Sequence, residues 1–321
     1  MKKLFTMLFL ITALFSGTVF AQVVEVEEDL RDHKTDSVDG WKTGGMFSLA
    51  FSQVSLSNWA AGGENSFSGN TMINIYANYK KGKISLDNNL DFGYGIMKQG
   101  EQEVRKTDDK IDLTSKFGRK LSKNAYIAAL LNFKTQAMPG YDYPNDSVEI
   151  SRFLAPGYLL FAAGYDYKKG DWLSLFFAPV TGKLTIVNDQ VLANAGAFGV
   201  DPIEYDPTDS TTILSYGKKS RMEFGGYFKG MFSKDIMENV KLSTKLELFS
   251  NYVNNPLNID IFWENTINMK VNKYISLTLS TTLIYDDDIK IDIKDSEGNV
   301  IGKGPRTQFK EVFGLGFSYK F

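Results

Sequence analysis

The sequence predicts an all-β protein, a transmembrane antiparallel up-and-down β-barrel of about twelve strands, and three observations point there. Apolar residues recur at every second position over many segments, the connections between segments alternate between short and long, and the chain opens on a leader of the export type. A period of two is the spacing of a strand whose two faces meet different surroundings.

At the N-terminus, Lys2 and Lys3 precede an apolar run from Leu4 to Phe15, and Val19-Phe20-Ala21 precede Gln22. This is the arrangement of a signal peptide, residues 1–21, cleaved after Ala21. A membrane anchor needs roughly 20 apolar residues, and Ser16, Gly17 and Thr18 interrupt the run too early. Residues 22–40 carry Glu25, Glu27, Glu28, Asp29, Asp32, Asp36 and Asp39 against Arg31 and Lys34, and read as a solvated periplasmic tail. Residues 41–321 are then one barrel domain.

Along that domain the apolar faces are Phe47, Leu49 and Phe51, then Ile73 to Tyr79, Ile84 to Ile96, Ile111 to Phe117 and Ile127 to Phe133, each at alternate positions. In the second half they are Leu159 to Tyr167, Met222 to Phe232, Val240 to Leu248, Ile259 to Val271 and Ile275 to Tyr285. The segment Leu173 to Ile186 is ambiguous because Pro179 and Gly182 break it. The last segment alternates Phe313, Leu315, Phe317, Tyr319 and Phe321 with small or polar residues. An aromatic residue closing an amphipathic strand, here Phe317, Tyr319 and Phe321, is similar to the signal read by the barrel assembly machinery of the outer membrane.

Short basic turns near 80–83, 121–124, 168–171 and 272–273 alternate with long connections near 53–65, 97–109, 137–153, 187–217 and 286–306. Short turns belong to the periplasmic side of such barrels and long loops to the outside, so both termini are expected in the periplasm of a Gram-negative bacterium.

Composition narrows the functions. With no cysteine, lipidation at a cysteine, disulfides and thiolate metal sites are excluded. A net charge of −2 lacks the basic excess that nucleic-acid binders use. The partners expected are membrane lipid and the assembly machinery, with the barrel itself a monomer and no cofactor. Aromatic residues at 14% supply what interfacial girdles require.

Catalysis by a serine–histidine pair on the barrel is disfavoured because His33 is the one histidine and sits in the tail, and a histidine metal site is excluded by the same count. The inward candidates are charged. Asp87, Asp91, Asp112, Lys116, Arg221, Glu223, Lys245, Glu247, Asp260 and Glu264 all fall on polar faces, as do Lys134, Lys229, Lys241 and Lys270. They form either an ion-paired network that fills the lumen or a charged constriction that selects solutes. Asp286, Asp287 and Asp288, like Asp142, Asn145 and Asp146, lack the spacing of a calcium loop and read as solvated loops. The 187–217 connection is long enough to plug the lumen or cover it.

Three stretches, Ser57-Asn58-Trp59-Ala60-Ala61-Gly62-Gly63-Glu64-Asn65, Ala178 to Thr185 and Ala195 to Val200, resemble the Bacteroidetes outer-membrane family known as domain of unknown function 3078, over most of the chain from Trp41. The resemblance implies an outer-membrane barrel and no catalytic residue or ligand. Within the first stretch, Asn58 and Trp59 precede Gly62 and Gly63, which permit positive φ in a tight bend, leaving Trp59 to anchor the loop or to bind a sugar or partner. The function expected is a narrow channel or uptake pore for small polar solutes. A non-conducting structural or assembly component is the alternative, and a rim hydrolase a third.

Overall fold

The computed structural model describes residues 39–57, 63–143, 145–170, 172–272, 275–294 and 300–320. The signal peptide, most of the tail with His33, and Phe321 therefore lie outside the described residues.

Alternation of apolar and polar residues produces long antiparallel strands, and helix is almost absent among the described residues. The strands of the main sheet are β1 (Gly40–Val54), β2 (Ser66–Lys81), β3 (Ile84–Gln99), β4 (Arg105–Lys120), β5 (Ala125–Thr135) and β6 (Gly157–Lys169). They continue with β7 (Leu173–Ile186), β8 (Ser220–Met237), β9 (Val240–Asn251), β10 (Ile259–Lys270), β11 (Ile275–Tyr285) and β12 (Gln308–Lys320). Each pairs with its neighbour in sequence, and β1 pairs with β12 through Met46 with Lys320 and Leu49 with Phe317, closing the sheet into a barrel. Closure removes the unpaired edges that an open sheet exposes.

Up-and-down order puts the short turns and the start of β1 at one end, called here the turn end, and the longer connections at the other, the loop end. The connection expected over 97–109 shrinks to Gly100–Val104, because β3 and β4 run past the point where their alternation fades. Three other loops carry small hairpins: Gly140–Tyr141 with Glu149–Ser151, Glu204–Tyr205 with Ile213–Ser215, and Ile291–Lys294 with Val300–Gly304.

The ambiguous segment is a full strand with a bulge. In β7, Ala178 pairs with Tyr227 while Thr181 pairs with Gly225, so Pro179 and Val180 face a single partner residue on β8. Proline has no N–H for the ladder, and a bulge accommodates it. Opposite, on β6, the backbone approaches so closely that a Cβ at Gly164 would lie 2.0 Å from the Phe177 carbonyl oxygen. The bulge also reverses the alternation. Phe176 and Ala178 are buried before it, and Thr181 and Thr185 after it, so the inward face moves from even to odd numbers.

The inside and outside differ in kind. Outward residues such as Leu49, Leu113, Leu131, Phe161, Phe177 and Trp263 are large, apolar and exposed. Inward residues such as Asn74, Asp91, Asp112, Glu223, Lys245 and Asn268 are polar and buried. Among the described residues no helix is long and apolar enough to cross a membrane.

Candidate functional site

Pleating aims every second side chain at the lumen, and strand neighbours stack these into tiers. Near the turn end, Lys116 Nζ lies 2.8 Å from Asp166 Oδ2, and Lys168 Nζ lies 3.7 Å from the same oxygen and 3.6 Å from Asp87 Oδ2. Ser174 Oγ donates to the other Asp166 oxygen at 3.0 Å. This tier is neutral, with two cations and two carboxylates.

The middle tier is larger and crosses the barrel. Lys134 on β5 reaches Glu247 Oε2 on β9 at 3.4 Å, and its Nζ also sits 5.2 Å from the centre of the Phe262 ring on β10. These strands lie four and five places apart in the ring of twelve, so the contacts span the interior. Lys229 approaches Glu247 from β8 at 3.0 Å, and Lys245 pairs with Glu264. Lys134 and Lys110 both face Asp112, at 3.8 Å and 3.9 Å. Asp91, almost fully buried, accepts from the side-chain amides of Asn74 and, at 2.8 Å, Asn89.

Beside these charges stands an apolar wall. Ala128, Leu130, Ala162, Phe176, Ala178, Tyr227 and Phe249 form one buried cluster with Leu160 packed on it. These residues lie on β5 to β9 and face inward, so the inward positions of these strands are not all polar. Phe176 and Tyr227 meet edge to face, with ring centres 6.3 Å apart. At mid-height the inward rings and the ion pairs thus lie side by side, with Lys134, Lys229, Lys245 and Glu247 on the same strands as the apolar cluster.

At the loop end, Lys183 gathers three carboxylates, Asp260 at 2.8 Å, Glu223 at 3.4 Å and Asp286 at 3.7 Å. Arg221 pairs with Asp288 at 2.6 Å and Glu223 at 3.3 Å, and donates to the Gly199 carbonyl at 3.0 Å. Asp286 and Asp288 are therefore not solvated loop residues, as the sequence suggested: they turn inward onto Lys183 and Arg221, beside the strand carboxylates Glu223 and Asp260.

The 187–219 connection is folded, not loose. It holds a helix α1 (Gln190–Asn194), and Val187, Leu192, Ala193 and Val200 pack with Ala155 into a second buried cluster. Asp189 caps α1 by accepting from the Leu192 N–H at 3.0 Å and pairs with Arg152 at 3.0 Å. The Leu192 N–H, ahead of the Arg152 contact, holds the Asp189 carboxyl below its ordinary range. The Arg221 bond to Gly199 and the approach of Gly199 to Asp288 tie this connection to the one after β11, across part of the mouth.

Two cavities bear on the lumen. One, of about 360 Å³, opens at the turn end beside Gly40 and Gly82 and ends on Asp112, Lys245, Glu264, Leu130 and Phe176. The other, about 400 Å³, lies at the loop end among Gly199, Arg221, Glu223, Asn251 and Asp288. The residues between them are those of the middle tier and the apolar wall.

All ten charged candidates thus point inward. Asp87 and Lys116 sit in the turn-end tier, Asp91, Asp112, Lys245, Glu247 and Glu264 in the middle, and Arg221, Glu223 and Asp260 at the loop end. Sequence reasoning missed Asp166, Lys168 and Lys183. Lys183 was hidden by the bulge, which the pair Pro179 and Gly182 signals without revealing the change of face. Asn58, Trp59 and Gly62 lie outside the described residues. Gly63 has φ +120°, and the Leu56 N–H donates to Asn65 Oδ1 at 2.6 Å, closing the loop base. Phe317 and Tyr319 are in β12, whose backbone alone is described there. Among the described residues no three histidine, cysteine or acidic side chains are placed to hold a metal ion.

Residues 51–141 match the family described as a protein of unknown function (DUF3078). That span runs from the end of β1 past β5. It includes the Asn58 to Gly63 stretch and not the stretches at 178–185 and 195–200. No curated protein matches the chain. Among solved structures, the chain is similar to an outer membrane channel from Pseudomonas putida F1, at 12% identity over 90% of this chain and 98% of that one, with a TM-score of 0.40. It is also similar to the translocator domain of the autotransporter NalP from Neisseria meningitidis, at 10% identity over 95% and 99% of the two chains, with a TM-score of 0.38.

Proposed function

We propose that this chain is an outer-membrane β-barrel with both termini in the periplasm and a lumen closed at mid-height, a non-conducting component in the state described. The membrane part of the reading is supported by the outer surface. On β1, Trp41 packs against Tyr79 near the turn end and Phe51 against Phe67 near the loop end, at ring separations of 5.2 Å and 5.0 Å. Ten residues separate Trp41 from Phe51. At about 3.3 Å per residue and a strand tilt of about 40°, that puts the aromatic pairs about 25 Å apart along the barrel axis, the height of an apolar band between its girdles. The same pairing recurs on another wall, with Phe224 on Tyr252 at the loop end and Trp172 on Phe232 at the turn end.

The observation that carries closure is the span of Lys134 to Glu247 and Phe262, with Phe176 and Tyr227 packed inward from the strands between. An ion pair reaching between strands four places apart, beside a packed apolar wall, supports a narrowed and closed lumen. A second reading, a narrow pore for small polar solutes, is favoured by the cavities that open toward the two ends of the barrel.

Conductance in a planar bilayer distinguishes the two. The wild-type chain is expected to be silent, and Lys134→Ala combined with Phe176→Ala to give steady steps. Steady conductance of the wild type overturns closure in favour of the pore. Membrane insertion is checked separately: Leu131→Arg, on the outer face at mid-strand, is expected to cost about 2 to 4 kcal/mol of stability in a bilayer. Leu257→Arg, in an exposed loop, is expected to change it by less than about 0.5 kcal/mol.

A further inference from the structure

We propose that the turn-end vestibule is a binding site for an acidic peptide segment, and that its occupant is residues 22–38 of this same chain. The argument begins with charge. The vestibule is lined by eight lysines and three carboxylates. Lys116 and Lys168 are matched by Asp166 and Asp87, whereas Lys80, Lys83 and Lys120 have no carboxylate partner among the described residues. A cleft of one sign with low-dielectric walls focuses its field and concentrates ligands of the other sign. The loop-end cavity has the opposite balance, Arg221 against Asp201, Glu223 and Asp288, so the preference for an anion belongs to the turn end.

The occupant follows from connectivity. Residues 22–38 hold six carboxylates against Arg31, Lys34 and His33. They lead directly into Asp39, whose carboxylate accepts from the Gly82 N–H at 3.1 Å on the rim, and Gly40 and Gly82 both line the vestibule mouth. The segment is therefore delivered to the rim by the chain itself. The floor lies about eight residues down β4, from Lys120 to Asp112. At about 3.3 Å per residue that is some 26 Å along the strand, a distance seven or eight extended residues cover. Tethering at this range gives an effective concentration of order millimolar, so even weak charge complementarity holds the segment in place. A volume of about 360 Å³ admits a few side chains, so a short acidic stretch is seated and the remainder stays outside.

The absence of native cysteine makes a clean test available. Ser174→Cys replaces a vestibule residue by a near-isostere, and its reaction with a charged, water-soluble thiol reagent is followed in the full chain in detergent. The same rate is measured with the six carboxylates of 22–38 changed to amides, and with 22–38 deleted. The unmodified chain is expected to react at least ten times more slowly than either variant, and added synthetic peptide 22–38 to restore protection in the deletion. Thr208→Cys at the loop end reports on folding and is expected to react equally in all three. Equal Ser174→Cys rates throughout overturn the proposal, as does protection that persists after neutralisation. Neither result depends on whether the barrel conducts.

Discussion

At the turn end the connections are too short to fold back, so the vestibule is walled by strand residues and short turns, and lysines dominate it. At the loop end the 187–219 and 286–307 connections turn inward, bringing Asp286, Asp288 and the Gly199 carbonyl onto Lys183 and Arg221. The difference teaches where a barrel of this size finds closure. Loops cover part of one mouth, and the other is left to whatever the strands and short turns carry, so in the proposed closed reading the partition comes from side chains at mid-height. In the closed reading proposed above, Leu130, Phe176 and Tyr227 together with Lys134, Glu247 and Glu264 provide it.

The contrast is broken most severely by removing the partition. Phe176→Ala is expected to cost about 3 to 5 kcal/mol in urea unfolding, because the ring is fully enclosed. Next is the vestibule floor. Glu264→Gln leaves Lys245, 5% exposed, without its carboxylate, and a buried pair broken on one side costs about 3 kcal/mol, read by the same unfolding midpoint. A smaller effect separates the two ends from each other. Arg221→Ala is expected to cost about 2 kcal/mol through charged hydrogen bonds and to expose the 187–219 connection to protease. Lys83→Gln on the turn-end rim is expected to stay within about 0.5 kcal/mol. Equal costs at the two sites contradict the division of roles.

A further effect, smaller than that of Arg221→Ala, is pH-dependent. Asp189 is held below its ordinary value of 3.8, first by the Leu192 N–H. A depressed carboxylate stabilises the fold above its unfolded pKa, and that contribution is lost as pH falls through the lower folded value. Proteolysis or hydrogen exchange in 187–219 is therefore expected to accelerate in that acidic window, and Asp189→Asn to remove the dependence at a cost of about 1 kcal/mol.

Much of this was legible in the sequence, and the failures have physical causes. The antiparallel all-β character was readable because unlike surroundings on the two faces impose period two on residues such as Phe47 to Phe51 and Ile84 to Ile96. The inward placement of Asp91, Glu247 and Glu264 follows from the same parity. Lys183 was not readable, because a bulge at Pro179 moves the face without changing composition. Nor was the bridge from Lys134 to Glu247, since contact across a lumen depends on barrel diameter and tilt, which no local pattern encodes. Ala128, Leu130 and Phe176 look like an interruption of alternation until the ring closes and gives them one another.

The seam between β1 and β12 has a consequence for how this fold is reached. Phe47 pairs with Tyr319, residues at nearly opposite ends of the chain. Such a contact has the largest loop-closure entropy in the molecule and is rewarded only after every intervening strand has been synthesised and laid down in register. Until then two long edges stand unpaired and ready to template association with other chains. Assembly is accordingly a race between sealing one seam and sticking at it, which makes β1 and β12 the places where slowed maturation shows first.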